Sequence, residues 1–370
     1  MIQLYHTALI RKELIIMLDK IFTENITQVT CIHHGDMDGI ASAIVVSRYV
    51  QDNCPNVKKM HFIKCVDYTK TFDFDNEEIF NKNTVVCIVD YSLKFSDMDI
   101  LYGKVDAILW FDHHVSAIQN IWHPSVTDKP ENPAKIYMLI QPTGLCGAEL
   151  TWLGLNKEYH MNLSLAHWDY STMQYLKGEE EIFAGYTRDT TLKATEDMPK
   201  WLVYVGDWDI YRNPSDEVFK YKMYFDTFVG IRENGKIFNE PIDDEEDILD
   251  KINYVEPAYY FYMNQLKEFV DNYGTRCRIS RYHDIDAFMV TIPNSICSRV
   301  FASVRDDYEV GIIEHYDGKK FTVSVYRLNK NQEKFIDCSE IARTYGGGGH
   351  VSAAGFSTGW EVIKPIEAKA

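Results

Sequence analysis

The stretch Trp110-Phe111-Asp112-His113-His114-Val115-Ser116 joins an apolar segment to three adjacent ionisable side chains. Residues Ala107 to Phe111 have the apolar pattern of a buried β-strand. Open α/β sheets bind ligands at the carboxyl ends of their strands, so the triplet lies where a functional site is expected. Two imidazoles beside a carboxylate suit a divalent metal ion. The stretch therefore predicts a metal site, although three such residues alone also fit an ordinary polar turn.

Two further strand-like runs, Val29 to His33 and Thr84 to Val89, also end in ionisable side chains. The first leads into His34-Gly35-Asp36-Met37-Asp38-Gly39, and the second leads into Asp90-Tyr91-Ser92. Gly39 to Val50 has the small and apolar residues of a helix packed on a sheet. Strands that alternate with helices predict an α/β fold with a mostly parallel sheet, whose successive carboxyl ends lie side by side.

These three strand ends together offer enough oxygen and nitrogen donors for two divalent ions, with Asp90 as the shared ligand. The donors are His34, Asp36, Asp38, Asp90, Asp112, His113 and His114. Ligands without thiols favour Mn²⁺ over structural zinc, with Mg²⁺ or Co²⁺ as alternatives. Two ions can clamp the attacking and leaving oxygens of a phosphate ester. The alternative role of Asp36 and Asp38, taken alone, is to cap the helix that follows.

The order of these motifs resembles that of the DHH phosphoesterases. His34-x-Asp36-x-Asp38-Gly39 is similar to the first motif of that family, Ile88-Val89-Asp90-Tyr91-Ser92 to its second, and Asp112-His113-His114 to the triplet that names it. The resemblance implies a hydrolase with a parallel-sheet catalytic domain and a smaller C-terminal α/β domain across a cleft.

The resemblance also implies how the ligands are shared. One ion is expected on His34, Asp36 and Asp90, and the second on Asp38, Asp90, His113 and an aspartate of a fourth motif. His114 is expected to contact the scissile phosphate. Asp112 is expected to act indirectly, without touching the phosphate itself. His33 stays an alternative to His34, because the sequence does not say which imidazole turns inward.

The fourth motif is sought in Tyr204-Val205-Gly206-Asp207-Trp208-Asp209-Ile210-Tyr211, which is similar to the corresponding segment of oligoribonuclease-like family members. We expect Asp207 to be the ligand, because it follows the apolar run Leu202 to Val205 and would emerge at a strand end. Asp209 is the alternative candidate for this ligand role. The segment of about residues 156–200 is expected to be a solvated insertion, with a lid or a contact surface for another subunit as the alternatives. Asp169 and Asp189 within it are outside candidates for the fourth metal ligand.

The C-terminal part predicts a second domain. We expect a catalytic domain over residues 1–242, a linker helix over 243–274 and a substrate-binding domain over 275–370. The run from Gly346 to Gly355 resembles the glycine-rich signature of the C-terminal domain associated with the family, which implies substrate contacts from Gly347, Gly348, Gly349 and His350. Arg327 is a further phosphate partner, because its planar guanidinium can bind two oxygens. Arg299 and Arg343 are weaker candidates.

The composition of the chain restricts the classes of molecule that it is expected to bind. The chain has 370 residues with 46% hydrophobic content and a net charge of −17, which favours a globular protein and argues against a broad grip on duplex nucleic acid. No Cys-x-x-Cys pair and no run of about 18 apolar residues occurs. We therefore expect neither a zinc ribbon nor a membrane span, and we expect a cytoplasmic protein that is able to form homo-oligomers.

The resemblance extends to nano-RNases of the NrnA and NrnB type, which implies hydrolysis of short single-stranded RNA to mononucleotides. A cyclic dinucleotide or phosphoadenosine phosphate is an alternative small nucleotide substrate. A pyrophosphatase or polyphosphatase is disfavoured by the glycine-rich His350 segment. A non-catalytic nucleotide-binding protein is disfavoured because Asp36, Asp38, Asp90 and His113 are all present.

Overall fold

The computed structural model describes most of the chain, and it forms two compact units, Met1–Asn253 and Tyr254–Ala370. The described residues are 18, 21–66, 70–114, 134–140, 144–156, 197–213, 215–231, 237–238, 245–279, 282–292, 298–316, 320–328, 336–349, 351–358 and 363–365. Several predictions fall outside these ranges, namely most of the 156–200 insertion with Asp169 and Asp189, and also His350.

The first unit is built on a five-stranded sheet in which every neighbouring pair of strands is parallel. The strands are β1 Gln28–His34, β2 Lys59–Cys65, β3 Thr84–Val89, β4 Ala107–Asp112 and β5 Lys135–Ile140. Their order across the sheet is β2-β1-β3-β4-β5. The predicted parallel α/β fold is confirmed.

Five helices of this unit are described, together with a short antiparallel hairpin. The helices are α1 Met37–Asn53, α2 Phe95–Lys104, α3 Gly147–Asn156, α4 Lys200–Asp209 and α5 Asp216–Phe228. The hairpin strands are β6 Gly230–Ile231 and β7 Ile237–Phe238. Of these helices, α1, α3 and α4 carry the side chains on which the site depends.

Strands β3 and β4 are buried along their whole length, as is most of β1. Such unbroken burial is typical of a parallel sheet that is covered on both faces. The chain runs from β1 to one side, to β2, and then to the other side, to β3. The carboxyl ends of β1 and β3 therefore flank a topological switch point, which is where open α/β sheets form their ligand crevice.

The expected strand at Leu202 to Val205 is wrong, because these residues lie inside helix α4. The buried residues Trp201, Leu202, Tyr204 and Val205 recur with helical spacing. Pro199 is the N-cap of the helix, where no intrahelical hydrogen bond requires the N–H that proline lacks. The local pattern was a short apolar run, which does not separate a buried strand from a buried helix.

The second unit contains a seven-stranded sheet with the order β12-β13-β11-β10-β9-β8-β14. The strands are β8 Gly274–Ile279, β9 Tyr282–Ile292, β10 Val310–Tyr316, β11 Phe321–Arg327, β12 Gly348–Gly349, β13 Ala353–Thr358 and β14 Ile363–Pro365. Only the described pair β9 and β10 is parallel. The predicted smaller α/β domain is confirmed.

Helical segments accompany this second sheet. Helix α6 spans Glu245–Tyr273, a 3₁₀ segment spans Ser298–Ser303, and helix α7 spans Cys338–Arg343. The division between the units falls within α6. The predicted limits of a separate linker at 243–274 stay a prediction. Among the described residues, no helix is long and apolar enough to cross a membrane.

Candidate metal centre

His34 and Asp36 meet at the junction between β1 and α1. Asp36 is the N-cap of the helix, and its Oδ1 accepts a hydrogen bond from the Gly39 N–H at 3.0 Å. Its other oxygen, Oδ2, lies 2.7 Å from His34 Nδ1. Capping and a place in the site, which the sequence presents as alternatives, are thus combined in one carboxylate. A side chain at position 39 would clash with the His34 carbonyl oxygen, so this junction requires glycine.

Asp38 is held by the amino end of helix α3. Its Oδ2 accepts from the Gly147 N–H and its Oδ1 from the Ala148 N–H, both at 2.7 Å. A helix amino terminus is a natural anion site, because its first N–H groups have no partner within the helix. Burial, with the nearby charge of Asp209, raises the pKa of Asp38 to about 7. A cation beside Asp38 would offset that cost.

Asp90 directly follows β3 and has a left-handed backbone with a φ of 51°. Such a conformation is uncommon outside glycine, although aspartate and asparagine tolerate it best, and it recurs at functional sites. The Asp90 N–H donates to the Phe111 carbonyl at 2.8 Å, which fixes the turn against β4. The side chain is 1% exposed, and neither of its oxygens accepts a hydrogen bond from a described residue. Burial, with Asp38 and Asp36 nearby, raises the Asp90 pKa well above its usual value.

His113 points its Nε2 at three carboxylates. The distance is 3.4 Å to Asp38 Oδ2, 3.3 Å to Asp90 Oδ1 and 3.3 Å to Asp209 Oδ2. Burial lowers the pKa of His113. A neutral imidazole keeps a lone pair for a metal ion, so the protonation state of His113 suits a ligand.

Asp112 holds the neighbouring His114. Its Oδ1 accepts from the His114 N–H at 3.0 Å and lies 2.8 Å from His114 Nδ1, while its Oδ2 accepts from the Ser92 hydroxyl at 2.7 Å. Burial favours neutral forms, but the contact with His114 outweighs it and lowers the Asp112 pKa to about 2. In spite of burial, the same hydrogen bond and charge raise the His114 pKa to about 9. Asp112 therefore orients a cationic His114.

Asp209 faces the cluster, whereas Asp207 does not, so the expected placement of Asp207 is corrected, and the ligand role of either aspartate stays a prediction. Residues two apart diverge by about 200° around a helix, although they would share one face of a strand. Asp207 Oδ1 instead accepts from Arg212 Nε at 2.6 Å. Burial, with the charge of Asp36, raises the pKa of Asp209 to about 7.

His34 rather than His33 lies at the cluster. The His34 Nδ1 is 3.8 Å from Asp90 Oδ2, in addition to its contact with Asp36. His33 is buried, with its Nδ1 2.7 Å from the His34 carbonyl oxygen, and burial lowers its pKa to about 4. Successive side chains of a strand point to opposite faces, so only one of the two imidazoles can face this way.

The described residues contain three groups whose ligand atoms lie within 4.8 Å of one another. They are His34, Asp36 and Asp90; Asp38, His113 and Asp209; and Asp90, His113 and His114. Oxygen and imidazole donors without thiols fit Mn²⁺ or Mg²⁺. The orphaned carboxylate oxygens of Asp90, buried among four other acidic side chains, also fit a cationic occupant.

Sequence reasoning missed one buried network beside this cluster. Glu149 is fully buried and Arg212 binds both its oxygens, while Arg212 also binds Asp207. The helix start at Gly147-Ala148-Glu149 was a usable signal for Glu149. No sequence signal pointed to Arg212, because its partner Glu149 lies 63 residues away in the chain.

The second unit carries the residues that were predicted to bind substrate. Arg327 ends β11, and Gly348 and Gly349 form β12. Gly349 has a φ of 141°, and a side chain at Gly347 would clash with the Gly355 carbonyl oxygen, so close backbone packing requires both glycines. Arg343 donates to the Ser339 carbonyl within α7. The substrate-binding roles stay predictions.

In metal-free protein, we expect the melting temperature to fall as the pH rises from about 4 to 7. Asp38 and Asp209 have folded-state pKa values of about 7, against ordinary values of 3.8, so these two carboxyls hold more protons in the folded chain than in the unfolded chain in this window. Their contribution to stability therefore decreases with rising pH, and Asp90, whose pKa burial also raises, adds to the decrease. The lowered pKa values of His33 and His113 oppose it in part. His114, with a pKa of about 9, continues the decline above pH 6.5.

Scanning fluorimetry in a chelator, compared with excess Mn²⁺, checks this expectation. Metal binding needs deprotonated ligands, so the gain in melting temperature from Mn²⁺ should be larger at pH 8 than at pH 5. The Asp209→Asn variant should show a shallower fall in chelator. A melting temperature that rises steadily with pH in the chelator would contradict the proton-retaining carboxylates.

Comparisons with solved structures find proteins that this chain resembles, and one of them reaches a TM-score of 0.50. A structure described as the DHH domain of a member of a family of ribosomal proteins has 12% identity and a TM-score of 0.50, covering 96% of this chain and 86% of that one. An exopolyphosphatase-related protein from Bacteroides fragilis has 14% identity and a TM-score of 0.45, covering 93% and 91%. The Mn²⁺ complex of RecJ from Thermus thermophilus has 12% identity and a TM-score of 0.45, covering 94% and 52%.

No protein-family model matches the sequence, and no curated protein matches it. At these identities the likeness concerns the fold alone. The chain therefore has the fold of DHH-domain proteins, as the three motifs predicted.

Proposed function

We propose that this chain is a DHH-type, metal-dependent phosphodiesterase that hydrolyses short oligonucleotides to mononucleotides. The observation that carries the proposal is the position of Asp90 between two ligand groups. Its Oδ2 faces His34 at 3.8 Å and its Oδ1 faces His113 at 3.3 Å. A carboxylate whose two oxygens face two different ligand sets is what a bridging ligand of a two-metal site requires.

The ligands divide between two ions. His34, Asp36 and Asp90 would hold one ion, and Asp38, Asp90, His113 and Asp209 would hold the other. Mn²⁺ is our first choice, with Mg²⁺ or Co²⁺ as substitutes, because the donors are oxygens and imidazoles. When bound, such ions neutralise phosphate charge and lower the pKa of a water molecule.

Asp112 and His114 complete the chemistry. Asp112 keeps His114 oriented and protonated through the 2.8 Å contact at Nδ1, which leaves Nε2 for the substrate. Hydrolysis forms one P–O bond to the oxygen of water and breaks the P–O ester bond. The cationic His114 can donate a hydrogen bond to a phosphate oxygen, or a proton to the departing ester oxygen.

Short substrates fit the charge of the chain. A net charge of −17 disfavours a broad grip on a long polyanion, so we expect recognition to be local. Cyclic dinucleotides and phosphoadenosine phosphate meet the same requirement and are the second choice. Pyrophosphate and polyphosphate use the metal centre alone and would leave the glycine-rich segment of the second unit without a role.

A substrate panel with Mn²⁺ tests the proposal. It compares di- to pentaribonucleotides, a cyclic dinucleotide, phosphoadenosine phosphate and pyrophosphate, with product analysis by chromatography. We expect the short ribonucleotides to have the highest kcat/KM. Preference for pyrophosphate would overturn the substrate class, and nucleotide binding without hydrolysis of any compound would identify a non-catalytic protein.

We expect His350→Ala to impair nucleotide substrates selectively. If His350 binds the remote end of the substrate, its loss removes binding energy distant from the reacting phosphate, which raises KM and, where positioning suffers, lowers kcat. The loss of one charge-assisted hydrogen bond should cost about 1.5–3 kcal/mol, or on the order of ten- to a hundredfold in kcat/KM. Steady-state kinetics on a dinucleotide measure it.

A small aryl phosphodiester serves as the comparison substrate, since it can reach the metal ions without remote contacts. It should lose little activity in His350→Ala. His315→Ala, which changes another histidine of the second unit at the end of β10, is the matched control. Equal losses on both substrates would assign His350 to catalysis or to folding instead of to remote recognition.

A further inference from the structure

Arg212 links two helices behind the metal centre. Its Nη2 donates to Glu149 Oε1 at 2.8 Å and its Nη1 to Glu149 Oε2 at 3.2 Å, so the pair is bidentate. Its Nε donates to Asp207 Oδ1 at 2.6 Å, and its remaining donors reach the carbonyls of Gly144 and Val203. Glu149 belongs to α3, whereas Asp207 belongs to α4. One guanidinium therefore clamps the first turn of α3 to the last turns of α4.

The chain is shaped for this contact. It turns back after α4 at Tyr211, which has a φ of 58°, a conformation that is rare for a bulky side chain. Gly206 lets α4 approach α3 closely, because a side chain there would lie 2.5 Å from the Glu149 carboxylate. Glu149 is fully buried, and its Oε2 also accepts from the Cys146 N–H at 3.0 Å. The carboxylate at the centre of the clamp is thus closely packed and has no solvent exposure.

Both clamped helix ends carry parts of one ligand group. The first two N–H groups of α3 hold the carboxylate of Asp38, and Asp209 is the last residue of α4. These two carboxylates reach the same nitrogen, His113 Nε2, at 3.4 and 3.3 Å. By contrast, His34 and Asp36 are placed by β1 and the start of α1, which Arg212 does not touch through any contact described above.

We propose that Arg212, acting through Glu149, is a positioning residue for the ion held by Asp38, His113 and Asp209, and not for the ion held by His34 and Asp36. This inference rests on the proposed two-metal function. A bidentate guanidinium fixes both distance and orientation, which a point charge such as lysine does not. Loss of the clamp should therefore weaken one ion selectively, and arginine should be required rather than any cation.

Calorimetric titration of the metal-free protein with Mn²⁺ tests the inference without reference to turnover. Wild type should show two binding events, and His34→Ala should keep only the event that belongs to Asp38, His113 and Asp209. Arg212→Gln should weaken that event about ten- to a hundredfold in Kd, the usual range for partners behind metal ligands, and leave the other unchanged. Arg212→Lys should fall between wild type and Arg212→Gln.

Two further variants keep the result interpretable. Arg212→Gln with Glu149→Gln removes the buried charge together with its partner, so it should fold even where the single variant does not, and it should still show the selective loss. Arg48→Gln is the matched control, because Arg48 packs over the Trp201 ring of α4 at 5.6 Å. It should leave both events unchanged.

The outcomes separate the two proposals. A wild-type protein that binds no Mn²⁺ would overturn the proposed function and this inference with it. Two normal events in wild type, with both affinities kept in the Arg212 variants, would overturn the inference alone. Equal weakening of both events would show a general structural role, and it would also overturn the selective positioning proposed for Arg212.

Discussion

Asp90→Asn should abolish hydrolysis of every substrate while it raises the stability of the metal-free protein. The Asp90 carboxylate faces both groups of candidate ligands, and no described neighbour presents its oxygens to both. We expect the variant to lose roughly 4 kcal/mol of transition-state stabilisation, which corresponds to a fall of about 10³-fold in rate. Asparagine is the better test than alanine, because it tolerates the left-handed backbone at this position.

The gain in stability has a separate cause. The Asp90 carboxylate is buried without a hydrogen-bonding partner among the described residues, and Asp38 and Asp36 repel it. A neutral amide removes that repulsion, so the melting temperature in chelator should rise. Initial rates with Mn²⁺ and melting curves in chelator provide the two measurements, with Asp52→Asn on the exposed surface of α1 as the control. Wild-type rates in Asp90→Asn would remove the two-metal assignment.

Asp209→Asn and Asp207→Asn should differ clearly in their hydrolysis rates at limiting Mn²⁺, although the two positions are almost adjacent. Asp209 lies 3.3 Å from His113 Nε2, so its neutralisation should weaken one ion and lower the rate about a hundredfold at limiting Mn²⁺. Excess Mn²⁺ should restore part of that rate. Asp207→Asn keeps an oxygen that can accept from Arg212 Nε and should stay close to wild type.

Rates measured across a series of Mn²⁺ concentrations decide between the two aspartates. A shift in the half-saturating Mn²⁺ concentration for Asp209→Asn, without one for Asp207→Asn, is the expected result. The opposite order would restore Asp207 as the ligand and would mean that the contact with Arg212 exchanges for a metal contact. The same series on wild type supplies the reference.

The strand ends were predictable because the relevant information is local. The apolar runs of β1, β3 and β4 are short, buried along most or all of their length, and followed directly by the ionisable residues of a motif. The parallel order of β1, β3 and β4 then brings His34, Asp90 and His113 together without any further signal. Sequence spacing was therefore enough to predict most of the cluster.

The errors and omissions concern features that local sequence does not encode. Leu202 to Val205 fits a strand or a helix equally, and only the helix turns Asp209 rather than Asp207 toward His113. The Glu149 and Arg212 pair joins residues 63 positions apart, so it depends on how α3 and α4 pack. Tertiary packing decided both cases.

The distance along the chain between Asp38 and Asp209 has a consequence during protein synthesis. Roughly 170 residues separate these two carboxylates, which both lie beside His113 Nε2, whereas His34, Asp36 and Asp90 lie much closer together in the sequence. At ribosomal rates of about 5–20 residues per second, Asp209 emerges on the order of ten to thirty seconds after Asp38. The residues of the His34 group are therefore all synthesised well before the group of Asp38, His113 and Asp209 is complete. If the two groups bind ions as proposed, the second group cannot form before Asp209 has been made.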